Sequence, residues 1–518
     1  MTNKAARGLF ILALLGALAF RAARLDLRPM HPDEANQAVK FGALLERGEY
    51  RFDPQDHHGP TLYYATLPAA WAVRAKTLAG LDERVLRLVP ALFGAGLLLA
   101  LLLFAGGLSR GATLAAAVLA AVSPALTYYS RFYIQESLLV FFLAVLLGAG
   151  WRYAQKRSAI WALAAGLAAG LMAATKETSV ILFGTIAAAF AALAVLGSLS
   201  TRRGGAWVWS DHRTKLPPVF HIILFLAAAA GTAAVLYTSF FRNMPGFLDA
   251  GRAVGAWFTR SAGPGIHVHP WYYYFQTLAY AKTAGGPLWS EAFVLLLAVI
   301  GGLAALGRDA GRNGSPRFLR FILFFTVITA AVYSAIPYKT PWNVLPFYFG
   351  LIVLAGNGAA FLLRVVHLKP VRIAIAVVLA AGALDLARED YRANFARPSD
   401  PANPYVYAQT SPDLLKLVAA VDRAASSSPA KSDLLVEVIS PADETWPLPW
   451  YFRKLGRVGY WTGVEAAAKD LPPGRADVVI ASSAFADEVA AALGEGYDET
   501  FYGLRPEVVL ALFIRRVP

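Results

Sequence analysis

The chain has 518 residues, of which 57% are hydrophobic and 16% are charged, and its mean hydropathy is +0.48. A soluble domain of this composition would expose too many apolar side chains to stay in solution, so we predict an integral membrane protein. The net charge of +14 comes from Lys and Arg in short clusters between apolar runs, which is typical of membrane topology and argues against nucleic acid binding. The absence of cysteine excludes disulfides, thiolate catalysis and cysteine-based zinc sites.

Eleven apolar runs predict eleven transmembrane helices. The first run, residues 9–20, follows Lys4 and Arg7 in the manner of a signal peptide. Because Ala22 and Ala23 form a poor cleavage site and many further runs follow, we interpret it as a first transmembrane helix. Each run is about long enough to cross a hydrocarbon core of ~30 Å at ~1.5 Å per residue. The other ten runs are 84–108, 112–128, 137–151, 159–175, 179–198, 218–240, 288–306, 318–336, 344–363 and 371–388.

The distribution of Lys and Arg between the runs predicts the orientation, because cytoplasmic loops carry the excess. The short connections 129–136, 176–178 and 337–343 hold one cation each, namely Arg131, Lys176 and Lys339. We therefore predict a multi-pass protein of the cytoplasmic membrane with its N-terminus inside, its first loop outside and its C-terminus outside. The opposite set of connections holds fifteen cations: Arg110, Arg152, Lys156, Arg157, Arg202, Arg203, Arg213, Lys215, Arg308, Arg312, Arg317, Arg320, Arg364, Lys369 and Arg372.

The first outer loop, residues 26–83, holds most of the candidate chemistry. Asp33 and Glu34 are adjacent carboxylates just after Pro32, and acids and imidazoles recur about twenty residues later. Apolar residues between positions 38 and 45 have helical spacing, which predicts a helix over 34–45 that lies along the bilayer surface with Pro32 at its start. The alternative is an ordinary amphipathic loop with solvated charges.

The three outer cations lie in loops rich in aromatic and hydroxyl side chains, and they could meet around one anion. Arg131 precedes Glu136, Lys176 follows Thr175, and Lys339 follows Tyr338. The alternative is that each cation snorkels to the interface beside an aromatic belt.

The long outer loop 241–287 contains a turn followed by an aromatic run, with His267 and His269 between them. Two histidines without clear third and fourth ligands are a weak metal signal, so binding of phosphate or sugar hydroxyls is favoured. A simple interfacial girdle of Trp and Tyr is the alternative.

After residue 388 the composition becomes polar, which predicts a membrane domain over 1–388 and a separate extracytoplasmic domain over 389–518. Helices predicted at 411–421 and 484–493 alternate with strands predicted at 433–440, 477–482 and 507–515, which indicates a small α/β domain. The aromatic segment 446–451 is compatible with sugar stacking and equally with packing onto the membrane domain.

Together, these motifs resemble the GT-C glycosyltransferase superfamily, which includes protein O-mannosyltransferases and the aminoarabinose transferases of lipid A. The likeness rests on the Asp-Glu pair, the helix after it, the aromatic Arg…Glu second loop and the Lys of the third. The segments HPDEANQAVKFG, HGPTLYY, PYKTPWN and WPLPWY are similar to the group labelled "flippase activity-associated protein Agl23". The resemblance covers nearly the whole chain and implies a polytopic α-helical GT-C-like fold with a C-terminal α/β domain.

The resemblance implies transfer of a monosaccharide, with inversion, from a polyprenyl-phosphate donor to a protein, lipid or glycan acceptor on the outer face of the membrane. Asp33 would be the general base, and Glu34 would orient Asp33 or the acceptor. The resemblance leaves metal dependence open, because oligosaccharyltransferases of this superfamily use a divalent cation whereas the mannosyltransferase-like members need none. The other implied roles are donor phosphate binding by Arg131, Lys339, Lys176 and His58, acceptor or metal binding by Glu136 and Asp56, and sugar or lipid head-group binding by His57, Tyr64, His267, His269 and Tyr338.

Two other classes of function compete with this interpretation. A lipid-linked sugar flippase or its accessory protein would bind the same phosphate without a general base, and a scaffold of an envelope assembly would need neither. The sequence has no internal repeat and its polar groups cluster on one membrane face, which favours a one-sided reaction over alternating access.

Overall fold

The computed structural model describes residues 3–56, 58–202, 217–261, 267–283, 285–307, 314–427, 433–467 and 475–516. Its internal contacts divide the chain into two units. The helical unit comprises residues 1–23, 49–65 and 87–397, and the α/β unit comprises residues 24–48, 66–86 and 398–518. The predicted division into 1–388 and 389–518 differs from this one, because two segments of the first outer loop are grouped with the C-terminal region.

Most helices of the helical unit are apolar along their whole length. In chain order the helices up to residue 400 are α1 (Asn3–Ala22), α2 (Pro32–Arg47), α3 (Thr61–Ala72), α4 (Glu83–Ala100), α5 (Arg110–Ala121), α6 (Pro124–Ser130), α7 (Glu136–Lys156), α8 (Ala159–Ala173), α9 (Ser179–Arg202), α10 (Val219–Tyr237), α11 (Gly246–Ser261), α12 (Tyr273–Ala279), α13 (Ala292–Leu306), α14 (Pro316–Ala335), α15 (Leu345–Val365) and α16 (Lys369–Tyr391).

Eight helical stretches in the described part of the chain are long and apolar enough to cross a membrane, or nine if α5 and α6, bent by 58°, form one span. The shorter apolar helices α8 and α13 have 15 residues each. At ~1.5 Å per residue these two fall short of a ~30 Å hydrocarbon core. Each of the eleven predicted spans falls on one of these helices, but the number of eleven crossings stays a prediction.

Close backbone packing determines which helices are central. A Cβ atom at Gly301 would lie 1.9 Å from the carbonyl oxygen of Leu354, and one at Gly358 would lie 2.1 Å from that of Leu297. Glycine therefore allows α13 and α15 to touch backbone to backbone, as small residues do between membrane helices. In the most apolar stretch of α15, 83% of the residues are buried inside the protein. In the corresponding stretch of α10, 0% are buried, so α10 lies at the periphery.

The α/β unit contains a five-stranded sheet of order β2-β1-β3-β5-β4, in which β1 pairs in parallel with β2 and β3 while β5 pairs antiparallel with β3 and β4. The predicted strands are present as β1, β3 and β5, and the predicted helices as α17 and α20. Two edge strands, β2 and β4, were not predicted, since their partly exposed residues lack a continuous apolar run. The elements are α17 (Leu414–Ser427), β1 (Leu435–Ile439), α18 (Leu448–Tyr451), β2 (Arg457–Trp461), α19 (Val464–Ala467), β3 (Val478–Ser482), α20 (Ala486–Leu493), β4 (Tyr497–Arg505) and β5 (Val508–Arg515).

The predicted helix of the first outer loop is confirmed as α2, with Pro32 in its first turn. Ala38, Phe41 and Leu44 of its apolar face are buried within the protein. Gly42 lies against Leu78, whose Cβ is 3.0 Å from where a Cβ of residue 42 would be.

Candidate functional site

The two adjacent carboxylates at the start of α2 have different environments. Glu34 is fully buried, accepts the backbone N–H of His31 at 3.0 Å and lies 3.7 Å from the guanidinium of Arg28. It therefore completes a capping box with His31 at the helix start. The Asp33 side chain, in contrast, is 51% exposed. Of the two predicted catalytic acids, Asp33 is the one whose side chain solvent can reach.

His31 has a defined tautomer in this arrangement. Its Nε2 is 2.8 Å from the carbonyl oxygen of Tyr407, which can only accept, so we assign the proton to Nε2. Its Nδ1 accepts the backbone N–H of Asp33 at 3.1 Å. The ring thus serves as the N-cap of α2, with Nδ1 3.8 Å from the Asp33 carboxylate.

In the helical unit, the loop that carries His58 is attached to the end of α8. Thr61 donates through its backbone N–H and its hydroxyl to the carbonyl oxygen of Ala174, at 3.1 and 2.6 Å. A Cβ on Gly59 would lie 2.2 Å from the same oxygen, so only glycine allows this approach. As a result His58 Nδ1 lies 3.0 Å from the carboxylate of Glu177, next to Lys176.

Lys176 forms a buried ion pair with Glu136, the acid of the second loop. Burial alone would lower the pKa of Lys176, but the carboxylates of Glu136 and Glu177 outweigh it and raise the pKa above the usual value, so the ammonium stays charged. Burial would likewise raise the pKa of Glu177, yet His58 and Lys176 lower it to about 2. The second carboxylate oxygen of Glu136, Oε2, is buried without a hydrogen-bond partner among the described residues.

These contacts bring three predicted site residues, His58, Lys176 and Glu136, into one row that also contains Glu177. Glu177, which joins the two pairs, was not among the predicted site residues. Its position directly after an outward lysine in the three-residue connection 176–178 was the available signal.

Arg131 has different partners. Its Nη1 donates to the carbonyl oxygens of Phe20, Arg21 and Ala23 at 2.8, 3.2 and 2.7 Å, and its guanidinium lies 4.6 Å from the ring centre of Phe395. The cation therefore caps the carboxyl end of α1, where the helix dipole is negative.

Lys339 lies in a third cluster of the helical unit. Its backbone N–H donates to the carbonyl oxygen of His267 at 2.8 Å, and its Nζ donates to the carbonyl oxygen of His269 at 3.0 Å. The rings of His267 and Tyr338 are 4.7 Å apart, and His269 stacks on Tyr273 at 4.2 Å. Burial lowers the pKa of Lys339. Burial, together with the nearby His267 and Lys339, also lowers the pKa of His269, so the imidazole of His269 favours its neutral form.

The remaining predicted residues of the first loop are dispersed. The Tyr64 hydroxyl donates to the Ser239 hydroxyl at 2.9 Å, and Asp56 is exposed. His57 lies outside the described residues. In the described ranges, no group of three or more His, Asp or Glu side chains is placed to hold a metal ion.

Comparison with known proteins identifies the fold. A family model described as "Dolichyl-phosphate-mannose-protein mannosyltransferase" matches residues 66–209. The structure of ArnT from Cupriavidus metallidurans in the apo state is 15% identical, with a TM-score of 0.59 over 98% of both chains. The archaeal oligosaccharyltransferase AglB from Archaeoglobus fulgidus, in complex with an inhibitory peptide and a dolichol-phosphate, is 13% identical, with a TM-score of 0.55 over 96% of this chain and 72% of that one. No curated protein sequence matches the chain.

At this level of identity the comparisons establish the fold and leave the narrower resemblance to the Agl23 group as a prediction. The predicted polytopic helical architecture agrees with these comparisons at the level of fold: the chain has the fold of ArnT and of the oligosaccharyltransferase AglB.

Proposed function

We propose that this protein is a membrane glycosyltransferase that moves a monosaccharide from a polyprenyl-phosphate carrier to an acceptor, with inversion, at the outer face of the cytoplasmic membrane. The observation that carries the proposal is the exposed carboxylate of Asp33 at the first turn of α2, beside a glutamate committed to the helix cap. The fold shared with ArnT and with the oligosaccharyltransferase AglB supports it, since solved structures of both contain a polyprenyl phosphate: undecaprenyl phosphate in ArnT and dolichol-phosphate in AglB.

In the proposed reaction an acceptor hydroxyl attacks the anomeric carbon in a single displacement. The new glycosidic C–O bond forms as the bond between the anomeric carbon and the phosphate oxygen breaks, and the hydroxyl proton passes to Asp33. Polyprenyl phosphate leaves with the bonding electrons, so its charge needs cations nearby. With the predicted orientation, Asp33, Lys176 and Lys339 are all on the outer side.

We assign the phosphate to Lys339 before the other predicted cations, because His58 is already paired with Glu177. The Lys339 ammonium has three donors, and two of them bind the carbonyl oxygens of His269 and Ile336. Lys176 ranks below Lys339, because its ammonium is already paired with the buried carboxylate of Glu136. Arg131 drops in rank, since three carbonyl oxygens hold its guanidinium.

An apolar groove near Lys339 fits the carrier's hydrocarbon chain. It measures about 480 Å³ and runs along α14 beside the loop that carries His269. Its walls are almost wholly apolar and lie within a few residues of the polar cluster in sequence, so one lipid could place its chain in the groove and its phosphate at Lys339. The lining includes Trp271, Phe275, Val327, Ala331, Ser334 and Leu351.

The test is transfer of labelled sugar from a synthetic polyprenyl-phosphate donor in proteoliposomes. Asp33→Asn is nearly isosteric but cannot accept the proton, so we expect the rate to fall by ~10²–10⁴-fold while donor binding and folding persist. Asp422→Asn, on the exposed face of α17, is the matched control and should keep the wild-type rate.

Wild-type transfer by the Asp33→Asn variant would refute the proposal. So would a wild-type protein that moves fluorescent polyprenyl-phosphate sugar between leaflets, measured by chemical quenching from one side, without ever cleaving it. That second outcome would instead identify the flippase that the sequence left as an alternative.

A further inference from the structure

Within the α/β unit, side chains and backbone of the C-terminal region form hydrogen bonds to residues 29–31, which precede the turn of α2 that carries Asp33. The backbone N–H of Met30 donates to the Tyr451 hydroxyl at 2.9 Å, and the Met30 carbonyl oxygen accepts from the Thr410 hydroxyl at 2.7 Å. Pro29 accepts from the Gln409 amide at 3.1 Å. With the bond from His31 to Tyr407, four hydrogen bonds converge on residues 29–31.

Two of the residues that bind this segment, Thr410 and Tyr451, are themselves attached to the core of the sheet. Ser411, next to Thr410, donates its backbone N–H to Leu504 of β4 at 2.8 Å, and Asp413 accepts the N–H of Gly503 at 2.8 Å. Tyr451 belongs to α18, whose neighbours Leu448 and Phe452 are buried in the hydrophobic core. The hydrogen bonds thus connect the start of α2 to a rigid layer rather than to a surface loop.

A second contact holds the flank of α2. Trp450 donates its indole N–H to Glu83 at 2.8 Å, and Arg453 stacks on Trp450 at 3.7 Å while donating to the Leu81 carbonyl oxygen at 2.6 Å. The segment held in this way contains Leu78, which packs against Gly42 of α2. Helix α2 is therefore fixed at its N-terminus and along its side.

We infer that the C-terminal α/β region acts as the positioning device of the general base. Tyr407, Gln409, Thr410 and Tyr451 would fix the backbone from which Asp33 projects. This inference rests on the proposed function. The physical reason is that Asp33 itself is exposed and has little packing of its own, so its position depends on the backbone before it. General-base catalysis needs the carboxylate within hydrogen-bond reach of the acceptor hydroxyl.

Thr410→Val tests the inference, because it keeps the shape of the side chain but removes the hydroxyl donor to Met30. Misplacement of a reacting group by about 1 Å can cost ~10²-fold, so we expect kcat per donor-binding site to fall by roughly 10- to 100-fold. The KM for the polyprenyl-phosphate donor should stay unchanged. Thr410→Ser restores the hydroxyl and should recover the rate, and Thr500→Val, on an exposed position of β4, should have no effect.

Normalising the rate to titrated donor sites separates positioning from loss of folded protein, since unfolding would lower the number of sites and leave the rate per site intact. Tyr451→Phe provides a second variant if Thr410→Val does not fold. In both, hydrogen exchange should accelerate at the amide of Met30 and the first turn of α2. Full rate per site in both variants would overturn the inference, while an inactive Asp33→Asn would still uphold the proposed function.

Discussion

Arg131 caps the carboxyl end of α1, and Arg21, in the last turn of α1, in turn caps the carboxyl end of α5. The guanidinium of Arg21 donates to the carbonyl oxygens of Ala120 and Ala121 at 2.8 and 3.2 Å. On the other side of the bend between α5 and α6, the carboxylate of Glu291 lies at the start of α6. It accepts from the Ser123 hydroxyl and the Ala125 N–H at 2.9 Å each. A cation therefore lies where α5 ends and an anion where α6 begins, which complements both helix dipoles and stabilises the 58° break.

This arrangement gives Arg131 a structural role that can be tested. Arg131→Met leaves the last carbonyl oxygens of α1 without their cation, so we expect a loss of stability of about 2–3 kcal/mol. Thermal unfolding in detergent would measure it, with Lys369→Met, at an exposed position, as the control. An Arg131→Met variant with unchanged unfolding but weakened donor binding would return Arg131 to the phosphate site.

The pair of Lys176 and Glu136 should behave as a coupled unit. Lys176→Met leaves the buried carboxylate of Glu136 without its cation, so we expect a cost of about 3–5 kcal/mol. Adding Glu136→Gln to that variant should recover part of the loss, because it removes the uncompensated charge. A double-mutant cycle measures the coupling, and strictly additive effects would contradict it.

Acid should destabilise the helical unit through Glu177. Because the folded-state pKa of Glu177, about 2, lies below its ordinary value, the stabilisation is fully present above pH ~4.5 and is lost as the pH falls towards 2. We expect His58→Gln to raise the pKa of Glu177 and to move this loss to higher pH. Unfolding temperatures between pH 7 and 3 provide the measurement, with His367→Gln, at an exposed position, as the control. Identical acid profiles in wild type and His58→Gln would argue against the pair.

Helix α11 should lie in the membrane interface at the end of α10. Phe247 and Phe258 share one helix face and are 47% and 51% exposed, and Arg252 lies on another face. Since the chain has no cysteine, single substitutions Phe247→Cys, Phe258→Cys and Arg252→Cys each give one spin-label site. We expect oxygen to reach the first two labels and a water-soluble nickel chelate to reach the third. Equal exposure of all three to the chelate would place α11 in water.

Orientation can be tested with a reporter fused after Pro518. A reporter that is active only outside the cytoplasm should be active, because fifteen cations lie in one set of connections and three in the other. Cytoplasmic activity would invert the topology and remove the proposed outer site.

Helix α2 and the central strands could be predicted because the pattern that identifies each of them lies within the element's own few residues. The spacing of Ala38, Phe41 and Leu44 fixes a helical face, and Pro32 marks its start. The runs of β1, β3 and β5 are apolar because both faces of the sheet are covered. Strand β4 was not predicted, since only two of its nine residues are buried and its backbone is held extended by pairing with β5.

The sequence by itself determined the membrane class, the places of the apolar helices and the carboxylates of the first outer loop, since composition and periodicity act over a few residues. Only the tertiary structure decided which charges have partners. Arg131, Lys176 and Lys339 look equivalent as single cations in outer loops, yet one caps a helix, one is paired with Glu136 and one binds carbonyl oxygens near an apolar groove. In the same way Asp33 and Glu34 differ because burial and the cap take one carboxylate and leave the other exposed. Such differences depend on groups that are far away in the sequence, and a local sequence pattern cannot predict where those groups lie in the folded chain.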